Sequence, residues 1–339
     1  MNGRDNTIRA FLAAAGWGAA GRAPLAGDAS ARRYERLSLA GQRAVLMDSP
    51  PEAADDVRRF TDMAEWLAAR GYSAPRILSD RAAEGLLLLE DLGDDLLARL
   101  IAADPTREAP LYAAVTDFLL DLHRHAPPAG LAPLDGPALG AMTGLAAEWY
   151  LPGIGAPASG AAGDLPALIQ EAYTRLDHEK PVTALRDFHA ENLIWLPARA
   201  GVARLGLLDF QDAVAAHPAY DLVSALQDAR RDVSPAVERA ERRRYAQQKG
   251  LEQGRFEAIY ALLGLQRSVR ILGVFARLCM AMGKAHYVDL IPRTWRYIER
   301  NAAHPELAGI ARVLGAAFPA PTAERLERIK RQCAQHPMR

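Results

Sequence analysis

Three oxygen-bearing side chains in this 339-residue sequence have the types and the order that phosphoryl transfer requires. The run Leu185-Arg186-Asp187-Phe188-His189-Ala190-Glu191-Asn192 supplies Asp-x4-Asn, and Leu205-Gly206-Leu207-Leu208-Asp209-Phe210 sets a second carboxylate at the end of an apolar strand. Moving a phosphoryl group from ATP to a hydroxyl needs a carboxylate beside the acceptor, to orient it and take its proton. It also needs an amide oxygen and another carboxylate to hold Mg2+ against the phosphates. Asp187 is the expected base, and Asn192 and Asp209 are the expected metal ligands. Singly, each would pass for a turn cap or a strand end; together, in this order and between strands, they point to this chemistry.

The elements that must position them are legible in the periodicity. Ile8, Phe11 and Leu12 mark one face of a short helix over 7–16. Pro24 to Ser30 is turn-rich, and 33–39 with 43–48 reads as a β-hairpin around Ala40-Gly41-Gln42. Val57, Phe60, Met63 and Leu67 form the stripe of a helix over 52–70, followed by strands at 76–78 and 85–89. Beyond residue 93 helices dominate: 110–123, one starting near Leu165, and everything from Tyr220 onward. Two Pro/Gly/Ala-rich stretches, 127–139 and 152–163, read as loops, and 193–196 with 205–208 as a small hairpin. The expected fold class is α+β with two lobes: a strand-rich small lobe, 1–93, ending in a linker at Glu90 to Gly93, and a mainly helical large lobe, 94–339. A cleft between lobes is a preferred place for a ligand.

Composition narrows the partners. Forty-one basic and forty-one acidic residues give no net charge, so a nucleic-acid partner is not expected. Two cysteines build neither a disulfide framework nor a cysteine-based zinc site. No apolar run reaches the ~18 residues a membrane span needs. Ala10 to Ala20 is small and apolar, but Asp5, Trp17 and Arg22 fit a signal peptide poorly. The expectation is a cytoplasmic monomer acting on a small molecule, without a membrane.

Leu185-Arg186-Asp187-x4-Asn192 followed by Asp209-Phe210-Gln211 parallels the kinase pattern His-Arg-Asp-x4-Asn and Asp-Phe-Gly. Over nearly its whole length the chain resembles the aminoglycoside phosphotransferase and choline kinase branch of the protein-kinase-like fold. Pro218-Ala219-Tyr220-Asp221-Leu222 matches a place where that family begins a helix with Asp-Leu, so the resemblance implies that Asp221 braces the catalytic loop. On physics alone Asp221 is a helix N-cap. Gly27 to Tyr34, Leu89 to Gly93, Arg186 to Leu193 and Leu208 to Ala213 together resemble the anomeric sugar kinases of bacterial cell-wall recycling. That resemblance implies use of ATP to phosphorylate the C1 hydroxyl of N-acetylmuramate or N-acetylglucosamine. It also implies a phosphate loop over 27–34 in which backbone N–H groups and the Ser30 hydroxyl hold oxygens. The hinge would be Glu90-Asp91-Leu92, reading adenine by its main chain, with Leu92 against the ring.

Two departures stand out. Leu185 occupies the place of a bracing histidine. More seriously, the strand 43–48 carries Val45-Leu46-Met47 where the family has a lysine for the phosphates. Arg32, Arg33 and Arg43 are the nearby cations that would have to serve, with Glu65 as an orienting carboxylate. Sugar contacts are expected from Glu148 and Trp149, from His189 in the catalytic loop, and from Arg267 or Arg270, since a guanidinium fits the lactyl carboxylate of N-acetylmuramate. A tryptophan is also ordinary core, and helix arginines ordinarily face water. Two alternatives stay open. One is the same fold acting on choline, an aminoglycoside or another small alcohol, against which the arginine-rich helix 266–277 argues. The other is a nucleotide-binding module without catalysis, for which the missing lysine argues.

Overall fold

The computed structural model describes residues 3–25, 32–50, 54–157 and 160–337. By packing, the chain forms two compact units: Met1–Pro105 with Ala190–Ala213, and Thr106–His189 with Val214–Arg339. The phosphate-loop residues 26–31, Ser30 among them, lie outside the described residues.

The first unit is built on an antiparallel sheet ordered β1-β2-β3-β5-β4: β1 (Gly21–Leu25), β2 (Arg33–Leu39), β3 (Gln42–Asp48), β4 (Ile77–Arg81) and β5 (Leu86–Glu90). The β2–β3 hairpin turns on Ala40 and Gly41, both at positive φ (48° and 80°), the conformation whose twist matches the strands it joins. Alternation puts Leu37, Ala44, Leu46, Leu86 and Leu88 on one face. There Ile8, Phe11 and Leu12 of helix α1 (Gly3–Ala14) cover them. Each such side chain buried contributes roughly 1.5–3 kcal/mol. The other face presents Tyr34, Arg36, Val45, Met47, Leu87 and Leu89. β1 replaces part of the expected turn: it is the edge strand, paired only with β2, where Pro24 removes no needed ladder bond.

Helices α2 (Ala54–Ala68) and α3 (Leu97–Ala103) complete this unit, together with the hairpin β7 (Leu193–Trp195) and β8 (Leu205–Leu207). The hairpin belongs here because its backbone bonds here: Trp195 N to Asp95 O at 2.8 Å, Leu207 N to Ser73 O at 3.0 Å, and Ala98 N to Ala190 O at 3.1 Å.

The second unit is helical: α4 (Glu108–Leu122), α5 (Gly136–Leu145), α6 (Leu151–Ile154), α7 (Gly160–Leu176), α8 (Ala219–Leu226), α9 (Pro235–Lys249), α10 (Gln253–Met280), α11 (Ile291–Ala302), α12 (Ala308–Ala317) and α13 (Ala323–Arg331). A two-stranded ladder, β6 (Val182–Ala184) with β9 (Val214–Ala216), accompanies them. By length and composition α10 could cross a membrane, but its apolar stretch is mostly buried inside this unit, where it forms the central helix. Both expected loops are partly helical. α5 starts inside 127–139 because Asp135 caps Ala138 N (3.1 Å) and Pro137 sits in the first turn, where a missing N–H costs nothing. α6 and the start of α7 fall inside 152–163. Glu148-Trp149-Tyr150 is part of a π-helical turn, Ala146–Tyr150, linking α5 to α6.

Candidate active site

In the first unit, hairpin β7–β8 brings Asn192, just before β7, and Asp209, just after β8, to the same end. Leu208 N donates to Asn192 O at 2.9 Å, which ties the residue before Asp209 to Asn192. Asp209 has φ +56°, a left-handed conformation costing of order 1–3 kcal/mol that persists only where the surroundings over-determine it. Three contacts do so. Phe210, fully buried, stacks on Phe60 of α2 (4.9 Å, 30°). Arg59 of α2 reaches Asp212 at 3.5 Å. Gln211 Nε2 donates to Asp209 Oδ1 at 2.8 Å, fixing one carboxylate oxygen. Gln211 thus has a positioning role that its place in the Asp-Phe-Gln triplet, where the kinase pattern has glycine, did not reveal.

Among the described residues no three His, Cys, Asp or Glu side chains form a metal cage. An Asn–Asp pair nonetheless fits Mg2+, which binds through one or two carboxylates plus phosphate oxygens and keeps several waters.

The sheet face with Tyr34 carries no lysine but has Arg32 beside it. Met47, fully buried, pairs across from Tyr34 and offers no charge. Burial pushes the Tyr34 phenol above its ordinary range and Asp209 adds to this, while Arg32, hydrogen-bonded to the phenol, opposes it. Arg32 and Asp209 therefore both act on one half-buried tyrosine. Arg33 is exposed, and alternation turns it to the Leu37 side of the sheet. Arg43 and Glu65 are exposed as well.

In the segment expected as the hinge, the Glu90 carboxylate is occupied by Arg199 (2.8 Å) and Arg76 (3.3 Å). Leu92 packs towards β8, where a Cβ on Gly206 would come within 3.2 Å of it. Arg36 clamps this segment, reaching Asp91 at 2.7 Å and Asp94 at 2.8 Å, and Asp91 also accepts from Gly93 N at 2.9 Å. Arg36 was not singled out from the sequence, where it reads as one more polar strand residue.

The second unit assembles the groups around Asp187. Asp187 N closes back on Leu185 O (2.9 Å) around Arg186 at φ +69°, a γ-turn of the rare, strained hand. The buried Asp221 holds this turn: its carboxylate accepts from Leu185 N at 2.5 Å and Arg186 N at 3.0 Å. Pro218 occupies the N-cap of α8, so Asp221 sits inside the first turn with its side chain directed to the loop. Phe188 stacks on Phe118 of α4 (5.5 Å) and anchors the loop's far side. Burial alone would raise the Asp187 pKa, but Arg267 and Arg270 outweigh it and hold the carboxyl below its ordinary range.

Arg267 is itself engaged, donating to Ser224 Oγ at 2.7 Å and lying over the Tyr220 ring at 5.2 Å. His189, buried, meets Arg230 at 3.1 Å through Nε2. A guanidinium has donors only, so Nε2 is the acceptor in this contact. Trp149 is half-buried and Glu148 exposed on the π-turn. Asn192, Asp209 and Arg32 thus share the first unit, and Asp187, His189, Arg267, Arg270 and Asp221 the second.

Residues 22–256 match the model of the phosphotransferase enzyme family. The chain belongs to this family. Within it, the chain is 43% identical to a protein of Caulobacter vibrioides named N-acetylmuramate/N-acetylglucosamine kinase, over 90% of this chain and 94% of that one. It is 32% identical to a protein of the same name from Pseudomonas aeruginosa, over 91% and 93%. Among solved structures, a choline/ethanolamine kinase family protein from Mesorhizobium loti superposes with a TM-score of 0.60 at 14% identity, covering 97% of this chain and 99% of that one. The fold of this phosphotransferase is therefore the kinase-like α+β fold.

Proposed function

We propose that the protein is an ATP-dependent kinase that phosphorylates the C1 hydroxyl of N-acetylmuramate and N-acetylglucosamine to the α-1-phosphate, in the recycling of cell-wall sugars. The observation that carries the reading is Asp187: a carboxylate taken out of bulk water yet kept ionised by arginines, on a turn braced by Asp221. Bound Mg-ATP would supply the phosphoryl group, and Asn192 and Asp209 would hold the metal. The ionised Asp187 accepts a hydrogen bond from the C1 hydroxyl, aims its lone pair, and takes the proton as the new O–P bond would form and the bond from the γ-phosphorus to the bridging oxygen would break, with ADP as the leaving group. An anomeric hydroxyl is more acidic than other sugar hydroxyls, so a carboxylate is an adequate base. Residues 1–93 would carry the nucleotide, with Ser30 and Arg32 near its phosphates and Glu90 and Leu92 near its base, while Arg33, on the other face of the sheet, would not reach it; residues 94–339 would carry the acceptor, with His189, Glu148 and Trp149 around the sugar. The setting would be the cytoplasm, with the protein a monomer.

Arg32 is the cation we assign to the phosphates in place of the lysine, supported by its position beside Tyr34 and Asp209. Arg32→Ala is expected to raise KM for ATP by about tenfold or more, the worth of a charge-assisted bond, with a smaller change in KM for the sugar. Equal changes in both constants would remove the assignment. The function itself is tested by phosphorus NMR of the products from ATP with each amino sugar. A C1 phosphate is the expected result, and a C6 phosphate or no transfer to either sugar sinks the reading.

A further inference from the structure

Between Ala258 and Met280, α10 is buried except for Arg270, Ile271, Val274 and Arg277. These positions are i, i+1, i+4 and i+7, a single stripe of the helix. Arg267, one turn earlier, is held by Ser224, Tyr220 and the Arg186 carbonyl. Neither Arg270 nor Arg277 makes a hydrogen bond or ion pair among the described residues, and Arg277 Nε is sealed from solvent without an acceptor. Burial lowers the Arg270 pKa; Tyr220 and Asp187 oppose this, and Arg186 and Arg267 add to it. A half-buried guanidinium, crowded by other cations and lacking a partner for its fork, is matched to an anion from outside the chain.

The stripe also has walls. At Gly273 a Cβ would fall 2.2 Å from Leu145 C, so α10 crosses directly against the start of the π-turn that carries Trp149. Such turns are frequent at functional positions. Ile271 and Val274 on the stripe supply apolar surface beside the two arginines. The residues assigned to the triphosphate, Asn192, Asp209 and Arg32, belong to the other unit, whereas Arg270 shares its unit with Asp187 and acts on it. Its place beside Asp187, the residue assigned to the acceptor hydroxyl, favours an anion borne by the acceptor.

We propose that Arg270, backed by Arg277, binds the lactyl carboxylate of N-acetylmuramate and makes the enzyme prefer the anionic amino sugar to the neutral one. The proposal rests on the sugar-kinase reading and names its preferred substrate. The carboxylate takes two parallel N–H bonds from the guanidinium fork, which a neutral N-acetylglucosamine cannot accept.

The test compares kcat/KM for the two sugars in wild type and Arg270→Met. The ratio of N-acetylmuramate to N-acetylglucosamine is expected to fall by about 10–100-fold, with Arg270→Lys between, since lysine keeps the charge and loses the fork. An unchanged ratio, or an equal fall for both sugars, overturns the proposal; the equal fall would assign Arg270 to the phosphoryl group instead. A test that needs no variant uses the wild-type enzyme with the lactyl amide of N-acetylmuramate. The amide is expected to perform like N-acetylglucosamine, and performance equal to the acid overturns the proposal. If the wild-type protein phosphorylates neither sugar, the kinase reading fails alone. Calorimetric binding of N-acetylmuramate then decides the site: binding that Arg270→Met abolishes upholds it, and absence of binding overturns it.

Discussion

Asp187→Asn is expected to lower kcat for sugar phosphorylation by about 10²–10⁴-fold, the usual worth of a general base, while nucleotide affinity stays close to that of wild type. The amide keeps the size and one acceptor oxygen of the carboxylate but cannot take the proton. It also removes the negative charge facing Arg267 and Arg270, leaving Arg270 more available to an anionic acceptor. KM for N-acetylmuramate should therefore fall as kcat falls, a split that simple damage to the loop would not give. The pH profile carries the same information. Arg267 and Arg270 hold Asp187 below the ordinary carboxylate range in spite of its burial, so its acid limb in kcat/KM should lie below pH ~4. The sign for stability agrees: a depressed carboxylate stabilises the fold above its unfolded pKa, and that contribution is lost as pH falls through the folded value. Steady-state rates beside nucleotide titration check the first expectation, and a variant with near-normal kcat would take the base away from Asp187.

The proposed reacting groups are legible because their chemistry is written in residue types at fixed spacing: Asp187, Asn192 and Asp209 are named by order alone. The hairpin β2–β3, helix α2 and the helices beyond Tyr220 were legible because burial on one face imposes a period. What escaped is what only three dimensions decide. β1 hid behind Pro24, which an edge strand tolerates and a central one would not. β6 and β9 have three residues each, too few to show a period. α6 starts with Pro152 in its first turn and α7 contains Pro166, so the residue type that signals a loop here lies within helix. Arg267 and Arg270 look equivalent in sequence, three residues apart on one helix. Only packing separates them: Arg267 is tied to Ser224 and Tyr220, and Arg270 stands on the stripe that α10 leaves uncovered. Arg36 and Gln211 act through partners far along the chain or through a local rotamer, and neither leaves a mark in composition.

Removing Asp221 should cost the most stability of any single change near the site. Asp221→Ala leaves the Leu185 and Arg186 N–H groups buried without acceptors, at about 1–3 kcal/mol each. It also frees Arg186 from its positive φ, so the γ-turn relaxes and Asp187 moves with it. Loss of kcat should accompany the loss of stability, although Asp221 is a positioning residue that touches no reactant. Asp221→Asn separates the two effects, since its one oxygen can serve one N–H while its NH2 opposes the other. The carboxyl's own titration provides the finer test. Burial pushes Asp221 up to about 7 against the pull of its two N–H bonds and Arg267, with Asp187 adding to the rise. A carboxyl raised above its unfolded value of ~3.9 gives a contribution that is complete below that value and is lost as pH rises through about 7. Urea unfolding at pH 5 and pH 8 should therefore show wild type losing more stability on going to pH 8 than Asp221→Asn does. Identical losses in the two proteins would mean that Asp221 stays ionised throughout, and that its two N–H bonds outweigh its burial.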